Sequence, residues 1–269
     1  MADENVVATV EDQGGALAVY DFGSDAGRGF EDQSSEEFQL PFIALLQDLS
    51  PQVTGEDGKG IEGAKAGMFL NTVTNDLIEK SFEFTPSHKE RAFVEWKPRT
   101  TGGGFVSRFL PDDPIVAKAR SESKEFGQYR TPAGNNLVDT IYLFGIVDKG
   151  DGNLQQACLV FTSTKMKIYK KWNTVVNAFS VVLADGTRQQ PPRYAHLLKI
   201  SSKRDRSPKG PFYNIVVEPA QGGIKDSLLR PNDPRYLAAR SLADLVKKGV
   251  AKVSEAAAAS DPDDEHGPF

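Results

Sequence analysis

Basic residues alternate with aromatic residues in three segments of the chain, and this pairing suggests what chemistry the protein can perform. The segments are KMKIYKKW (165–172), KRDRSPKGPFY (203–213) and ERAFVEWKPRTTGGGFVSRF (90–109). Lysine and arginine neutralise phosphates, and accessible rings stack on unpaired bases at roughly 1–3 kcal/mol each. A duplex hides its base faces and is more often read by a recognition helix or a basic arm. The combination therefore predicts binding of single-stranded nucleic acid.

The candidate contacts are the bases and rings of these segments, together with the neighbouring pair Arg193-Tyr194. They are Lys97, Arg99, Phe105, Arg108, Lys167, Tyr169, Lys170, Lys171, Arg193, Tyr194, Lys203, Arg204, Arg206, Lys209, Phe212 and Tyr213. Four bases crowd residues 203–209, at a predicted hairpin tip, and a bound polyanion would relieve their mutual repulsion. The alternative for the lysines of 165–172 is an ordinary solvated helix face. Some of the rings must also belong to the core, since Trp96 alternates with Val94 as a half-buried strand residue does.

Residues suited to metal binding or nucleophilic chemistry are sparse. The three histidines, His88, His196 and His266, show no metal-ligand spacing. The single cysteine, Cys158, lies in the apolar run ACLVF and is expected to be a buried, inert thiol. We therefore expect neither a metal nor another cofactor.

Sequence motifs of known catalysts are missing as well. No GxxxxGK[ST], GxSxG or HExxH pattern occurs. The glycine cluster at 102–105 is not followed by a helix start, so it favours a loop over a phosphate cradle. The pair Asp112-Asp113 lies beside Pro114, which favours a solvated turn over an acid–base pair. These patterns predict a protein that is not an enzyme.

Charge is segregated along the chain, although the net charge is only −5. Residues 1–37 hold ten acidic residues against one basic residue, and residues 254–269 hold five acidic residues and no basic one. The remaining residues, 38–253, hold 31 Lys and Arg against 22 Asp and Glu, a net charge of +9. A basic body between acidic ends favours a polyanionic partner over termini that serve only solubility.

The spacing of apolar residues predicts the elements that must position these side chains. Period-2 alternation and short apolar runs predict strands, at 68–73, 80–86, 90–98, 137–148 and 154–163, and two more within 193–219 on either side of a basic loop. Spacings of three and four predict a helix over 164–183, and Asp233-Pro234 predicts the start of a second. The apolar segment 38–49 is predicted to be helical, and 121–136 helical or irregular.

Together these elements predict an α+β fold, an OB-fold-like antiparallel β-barrel elaborated with an internal helix and a C-terminal helix. The expected organisation is a disordered acidic arm (1–37), a binding domain (38–232), the C-terminal helix (233–259) and an acidic tail (260–269). The chain shows no apolar run of membrane-spanning length and no signal peptide, so a cytoplasmic location without a membrane partner is expected.

The last nine residues, DPDDEHGPF (261–269), resemble the tip of bacterial single-stranded DNA-binding proteins, which ends in acids followed by Pro-Phe. They also resemble the acidic, Phe-terminated tails of phage replicative single-stranded DNA-binding proteins, to which the length and helices of the body are more similar. His266-Gly267 stands where the bacterial tip has an aliphatic residue. The resemblance implies recruitment of a polymerase, helicase or nuclease through the tail residues Asp261, Asp263, Asp264, Glu265, Pro268 and Phe269.

The resemblance also implies sequence-independent coating of single strands, without catalysis. The sequence thus predicts binding and protection of single-stranded DNA during phage or prophage replication and recombination, in the cytoplasm of a bacterial host. One alternative is a recombination mediator or strand-annealing protein. Another, of a different class, is a phage structural or scaffolding protein. Self-association and the choice between DNA and RNA are left open by the sequence.

Overall fold

The computed structural model describes residues 39–79, 81–125, 127–150, 152–207, 210–251 and 253, without the side chains of Asp57 and Arg99. The predicted acidic arm, the tail with its predicted docking residues, and Lys209 therefore lie outside the described residues.

Five of the described strands have eight or more residues, and the others have five or fewer. In chain order they are β1 (Ile43–Leu45), β2 (Phe69–Asn71), β3 (Leu77–Ile78), β4 (Ser81–Trp96), β5 (Phe105–Phe109), β6 (Tyr129–Arg130), β7 (Asn136–Asp148), β8 (Leu154–Phe161), β9 (Val181–Val182), β10 (Arg188–Gln189), β11 (Leu198–Ser207) and β12 (Gly210–Pro219). The α-helices are α1 (Pro51–Thr54), α2 (Pro114–Glu122), α3 (Ser163–Ala178) and α4 (Pro234–Lys247).

A seven-stranded antiparallel sheet, in the order β12-β11-β4-β7-β6, carries the structure, with β5 paired to β4 and β8 to β7. The long strands β4 and β7 pair from Glu83↔Asp148 to Trp96↔Asn136, with an irregularity between Pro86 and Lys89. The first residues of β4 also pair with β11, and its last residues pair with β5. The strands β1, β2 and β3 form a separate small sheet, and β9 and β10 a two-stranded one.

The predicted α+β class is confirmed, but the described strands do not close into a barrel. The segment from Pro41 to Gln47, which contains β1, lies between β8 and β12. At its first end, the Cys158 N–H donates to the Pro41 carbonyl at 2.8 Å. At its other end, the Gln47 amide donates to the Tyr213 carbonyl at 3.0 Å and accepts from the Tyr213 N–H at 2.8 Å. The side chain of Gln47 makes these hydrogen bonds in place of a backbone ladder between two strands. The OB-fold therefore stays a prediction.

The central strands are buried on both faces, which leaves little of the sheet open to a ligand. Along β7, Ile141 and Leu143 pack with α3 and the small sheet, whereas Tyr142 and Phe144 pack with α4 and Cys158. Cys158 is buried, as predicted. The functional surface must therefore be formed by helices and strand ends around this core.

The apolar segment 38–49 was predicted to be a helix, and this prediction is wrong. Residues 43–45 form β1, paired antiparallel with β2 through Ile43↔Asn71. A continuous apolar run has no periodicity that separates a buried strand from a buried helix, and Pro41 within it disfavours the α conformation for Leu40.

The helix predicted over 233–259 begins where expected but ends early. Asp233 accepts a hydrogen bond from the Arg235 N–H at 2.9 Å, with Pro234 at the first helical position. The helix stops at Lys247, and Gly249 takes a left-handed conformation (φ 73°) while its N–H donates to the Val246 carbonyl at 2.9 Å. Glycine after the last turn is a common helix stop, so α4 ends at Lys247, and the predicted residues 252 and 254–259 lie outside the described residues.

The pair Asp112-Asp113 does more than form the solvated turn that was predicted. Asp113 caps α2, accepting from the Ile115 N–H at 2.8 Å, and Pro114 occupies the first helical position. The glycine cluster lies in the loop between a 3-10 turn (Arg99–Thr101) and β5, in agreement with its prediction. Within 121–136, the helix ends at Glu122 and β6 follows.

Gly67→Ala is expected to destabilise the fold by about 3 kcal/mol. Gly67 has φ +88°, and an added Cβ would lie 2.5 Å from a Tyr213 ring atom. The left-handed conformation costs an alanine roughly 1–2 kcal/mol and the overlap adds roughly 1–3 kcal/mol. The matched control is Gly63→Ala, at φ +81° with no described atom within 4 Å, which should lose only about 1 kcal/mol. Urea denaturation measures both, and equal losses would show that the contact with Tyr213 is unimportant.

Candidate nucleic-acid interface

An open groove lies between α3 and the hairpin of β11 and β12, and we call it the α3–hairpin groove. Its volume is about 430 Å³, and its lining is mainly apolar. Ile168, Val175, Ile215 and Val217 form much of this lining. Two predicted DNA-binding lysines, Lys171 of α3 and Lys203 of β11, line the same groove, and so does the acidic Glu218. The groove thus combines cations with an apolar surface, as a ligand with charged and apolar parts requires.

The helical period of α3 explains which of its lysines are exposed. Trp172 and Val176 point into the core, four residues apart on one face. Lys167, Lys170 and Lys171 are exposed, because they lie on the turns facing away from that core. The predicted outward projection of these three lysines is confirmed.

Three of the bases predicted at the hairpin tip, Lys203, Arg204 and Arg206, lie within β11 rather than in a loop. Successive side chains of a strand point to opposite sides, so Lys203 and Arg204 diverge. Lys203 lines the groove, whereas the guanidinium of Arg204 lies 5.9 Å from the centre of the Tyr213 ring and 3.9 Å from the Asp48 carboxylate. Arg206 is exposed. Lys203, Arg204 and Arg206 therefore do not form a single patch at a tip, and of these three only Lys203 lines the groove with Lys171.

Arg193 lies next to the groove, against its inner wall. The guanidinium lies 5.4 Å from the centre of the Trp172 ring, and its Nη2 donates to Asn173 Oδ1 at 3.2 Å. This contact orients Arg193 toward α3. Of the sequence candidates, Arg193, Lys171 and Lys203 thus lie around the middle of α3.

A second set of predicted contacts lies at the end of β4 that pairs with β5, away from the end that pairs with β11. Arg108 pairs with Glu90 at 2.6 Å and lies over the Tyr142 ring, while Phe105 packs edge-on against Trp96. The β5 end of β4 is about ten residues, or roughly 30 Å, from the end that pairs with β11. Lys97 is exposed beside this second set. The structure therefore does not join Lys97, Phe105 and Arg108 to the α3–hairpin groove, and the predicted contacts fall into separate sets.

Two of the predicted stacking rings are core residues. Tyr169 is 5% exposed and packs 5.4 Å from Phe161, and Phe212 is 8% exposed. Burial raises the pKa of Tyr169, in keeping with this interior position. Neither ring presents a face to solvent, because each points inward from its helix or strand. The half-buried rings are Tyr213, beside the guanidinium of Arg204, and Tyr194, which packs edge-on against Tyr236 at 4.9 Å.

His196 is a groove residue that the sequence did not single out. It lies after a 3-10 turn (Arg193–Ala195) rather than in the alternating strand that was expected. Its side chain is almost fully buried, and burial together with the nearby Arg193 charge lowers its pKa to about 4. At neutral pH it is therefore an uncharged ring in the wall of the groove. Nothing in the local pattern RYAH distinguishes such a ring from any other buried histidine.

Within the part of the chain that the structure describes, no three His, Cys, Asp or Glu side chains are grouped so as to hold a metal ion. The described helices include none that combines the length and the apolar character needed to cross a bilayer.

Comparison with known proteins gives one family. The family model described as Pam3 phage gp34-like protein matches residues 10–252. No curated protein and no solved structure matches the chain.

Proposed function

The chain belongs to the Pam3 phage gp34-like family, and from this premise we propose that it binds single-stranded DNA, independently of sequence, during phage replication and recombination. The observation that supports the proposal best is the α3–hairpin groove, where Lys171 and Lys203 flank an apolar lining. The net charge of +9 over residues 38–253 adds a long-range attraction for a polyanion.

The shape and polarity of the groove favour a single strand over a duplex. An unpaired strand presents phosphates and apolar base faces together, so cations and an apolar lining are used at the same time. A duplex presents mainly phosphates, and the apolar lining contributed by Ile168, Val175 and Ile215 would then stay empty. Lys167 and Lys170 are also exposed on α3 and add positive charge to the same helix.

We also propose that the acidic tail, Asp261–Phe269, recruits replication or recombination enzymes. A terminal phenylalanine with its carboxylate suits an apolar pocket rimmed by basic residues on a partner. This part of the proposal depends on the sequence resemblance alone. Enzyme pull-down with the full chain and with a chain ending at residue 260 would test it separately from DNA binding.

Fluorescence anisotropy with labelled oligo(dT) and a duplex of equal length tests the proposed binding. We expect much tighter binding of oligo(dT). Neutralising about six phosphates would reduce the affinity by roughly 10²–10³-fold between 50 and 200 mM salt. Equal affinities for single strand and duplex would count against the proposal. No binding, together with co-purification with phage particles, would favour the structural alternative.

A further inference from the structure

Three buried polar atoms beside the α3–hairpin groove have no hydrogen-bond partner among the described residues. They are Nε1 of Trp172, Nη1 of Arg193 and Nε2 of His196. Trp172 and His196 line the groove while being 7% and 2% exposed, and Arg193 lies over the Trp172 ring. Buried polar atoms in folded proteins are nearly always paired, so three orphans in one place call for an explanation.

The chemistry of these atoms specifies what is missing. The indole N–H of Trp172 and the guanidinium of Arg193 can only donate hydrogen bonds. An uncharged histidine such as His196 offers one donor and one acceptor. Of the two donors, Trp172 lines the groove, so a ligand in the groove would satisfy it by bringing an acceptor atom to its indole N–H.

The rest of the groove restricts which chemical group can carry that acceptor atom. Its lining is mainly apolar, with Ile168, Val175 and Ile215 close to Trp172. A phosphate placed against this lining would lose its hydration, and Lys171 and Lys203 offer it better sites. A flat, largely apolar ring with a carbonyl oxygen fits both requirements. Thymine, cytosine and guanine carry such an oxygen, and adenine does not.

We propose that the groove seats one unpaired nucleobase, whose carbonyl oxygen accepts a hydrogen bond from Trp172 Nε1–H, so that carbonyl-bearing bases are preferred over adenine. This inference rests on the proposed binding of single-stranded DNA. It adds a base preference to an interaction that the phosphates alone would leave independent of sequence. Lys171 and Lys203 hold the phosphates on either side of the seated base.

Removing the indole N–H while keeping an aromatic ring tests the hydrogen bond. The ratio of oligo(dT) to oligo(dA) affinity is measured by anisotropy for the full chain, for Trp172→Phe and for Trp96→Phe. Trp96 is the matched control, because it packs against Phe105 at the other end of β4. We expect Trp172→Phe to reduce the ratio by about five-fold, the effect of one hydrogen bond. Trp96→Phe should leave the ratio unchanged.

An unchanged ratio in Trp172→Phe, with DNA binding intact, would overturn the inference and leave the proposed function standing. The orphan donors would then be bonded to internal water. If the unaltered chain binds no DNA at all, the proposed function itself is refuted.

If Trp172→Phe does not fold, a fluorescence measurement can test instead whether a base enters the groove. The Trp96→Phe protein has Trp172 as its only tryptophan, because the chain contains two. We expect oligo(dT) to change this fluorescence at saturation, and an abasic oligonucleotide of equal length to leave it unchanged. The same change with both oligonucleotides would show that no base enters the groove.

Discussion

Reversing both groove lysines, Lys171→Glu together with Lys203→Glu, should lower the affinity for oligo(dT) on the order of 100-fold. Each reversal replaces attraction for a phosphate by repulsion and should cost about 1.4 kcal/mol of binding free energy. This value lies between the energies of a charge pair in bulk water and at a protein surface. The dependence of log affinity on log salt should also become shallower by about 1.4, since roughly 0.7 is lost for each phosphate contact on a single strand. Anisotropy titrations at several salt concentrations measure both quantities.

The control for this experiment changes the net charge equally at other sites. Lys118 of α2 and Lys248 after α4 are exposed, and their elements pack in clusters separate from the groove. Lys118→Glu with Lys248→Glu should therefore weaken binding by only about two- to three-fold, through long-range charge. If both double variants lose affinity equally, the basic body attracts DNA without a defined groove.

The stability of the protein should fall by about 3 kcal/mol between pH 7 and pH 4 because of His196 alone. The pKa of this buried ring is lowered to about 4 in the fold, against 6.5 for the ordinary side chain. The unfolded chain therefore binds a proton as the pH falls through 6.5, while the folded chain stays uncharged until about pH 4. Each pH unit in this window costs about 1.4 kcal/mol. The penalty is complete below the folded pKa and absent above pH 7.

His196→Gln removes this titration, so the difference in urea stability between the unaltered chain and the variant should change by about 3 kcal/mol over that window. His88→Gln is the companion variant. Burial also lowers the pKa of His88, but its side chain is only half-buried, so a smaller change is expected. A parallel pH dependence in the unaltered chain and in His196→Gln would mean that His196 reaches solvent before it is protonated.

The elements around the groove were predictable from the sequence because each has a clear period. The helix stripe of Trp172 and Val176 identified α3, and alternation together with turn residues identified β11 and β12. The segment before Ser50 was not predictable, because its apolar run is compatible with both helix and strand. Its strand conformation is decided by pairing with β2, 25 or so residues later, and no local pattern records that partner.

The candidate site was predictable in its residue types but not in its arrangement. Lys171 and Lys203 were both identified, yet only the packing of α3 beside β12 places them at one groove. The sequence did not distinguish Tyr169 and Phe212 from surface rings. Buried and exposed aromatic residues alike lie close to basic residues in the sequence. The orphan atoms of Trp172, Arg193 and His196 depend on tertiary contacts, which are not encoded in spacing.

Photo-cross-linking tests most directly whether the α3–hairpin groove binds the single strand. An oligo(dT) that carries 4-thiothymidine is irradiated with the full chain, and the linked peptides are identified by mass spectrometry. We expect cross-links within α3 and the β11–β12 hairpin, and we expect them to disappear in Lys171→Glu with Lys203→Glu. Cross-links confined to β5 and the residues around Lys97, or spread evenly over the chain, would contradict it.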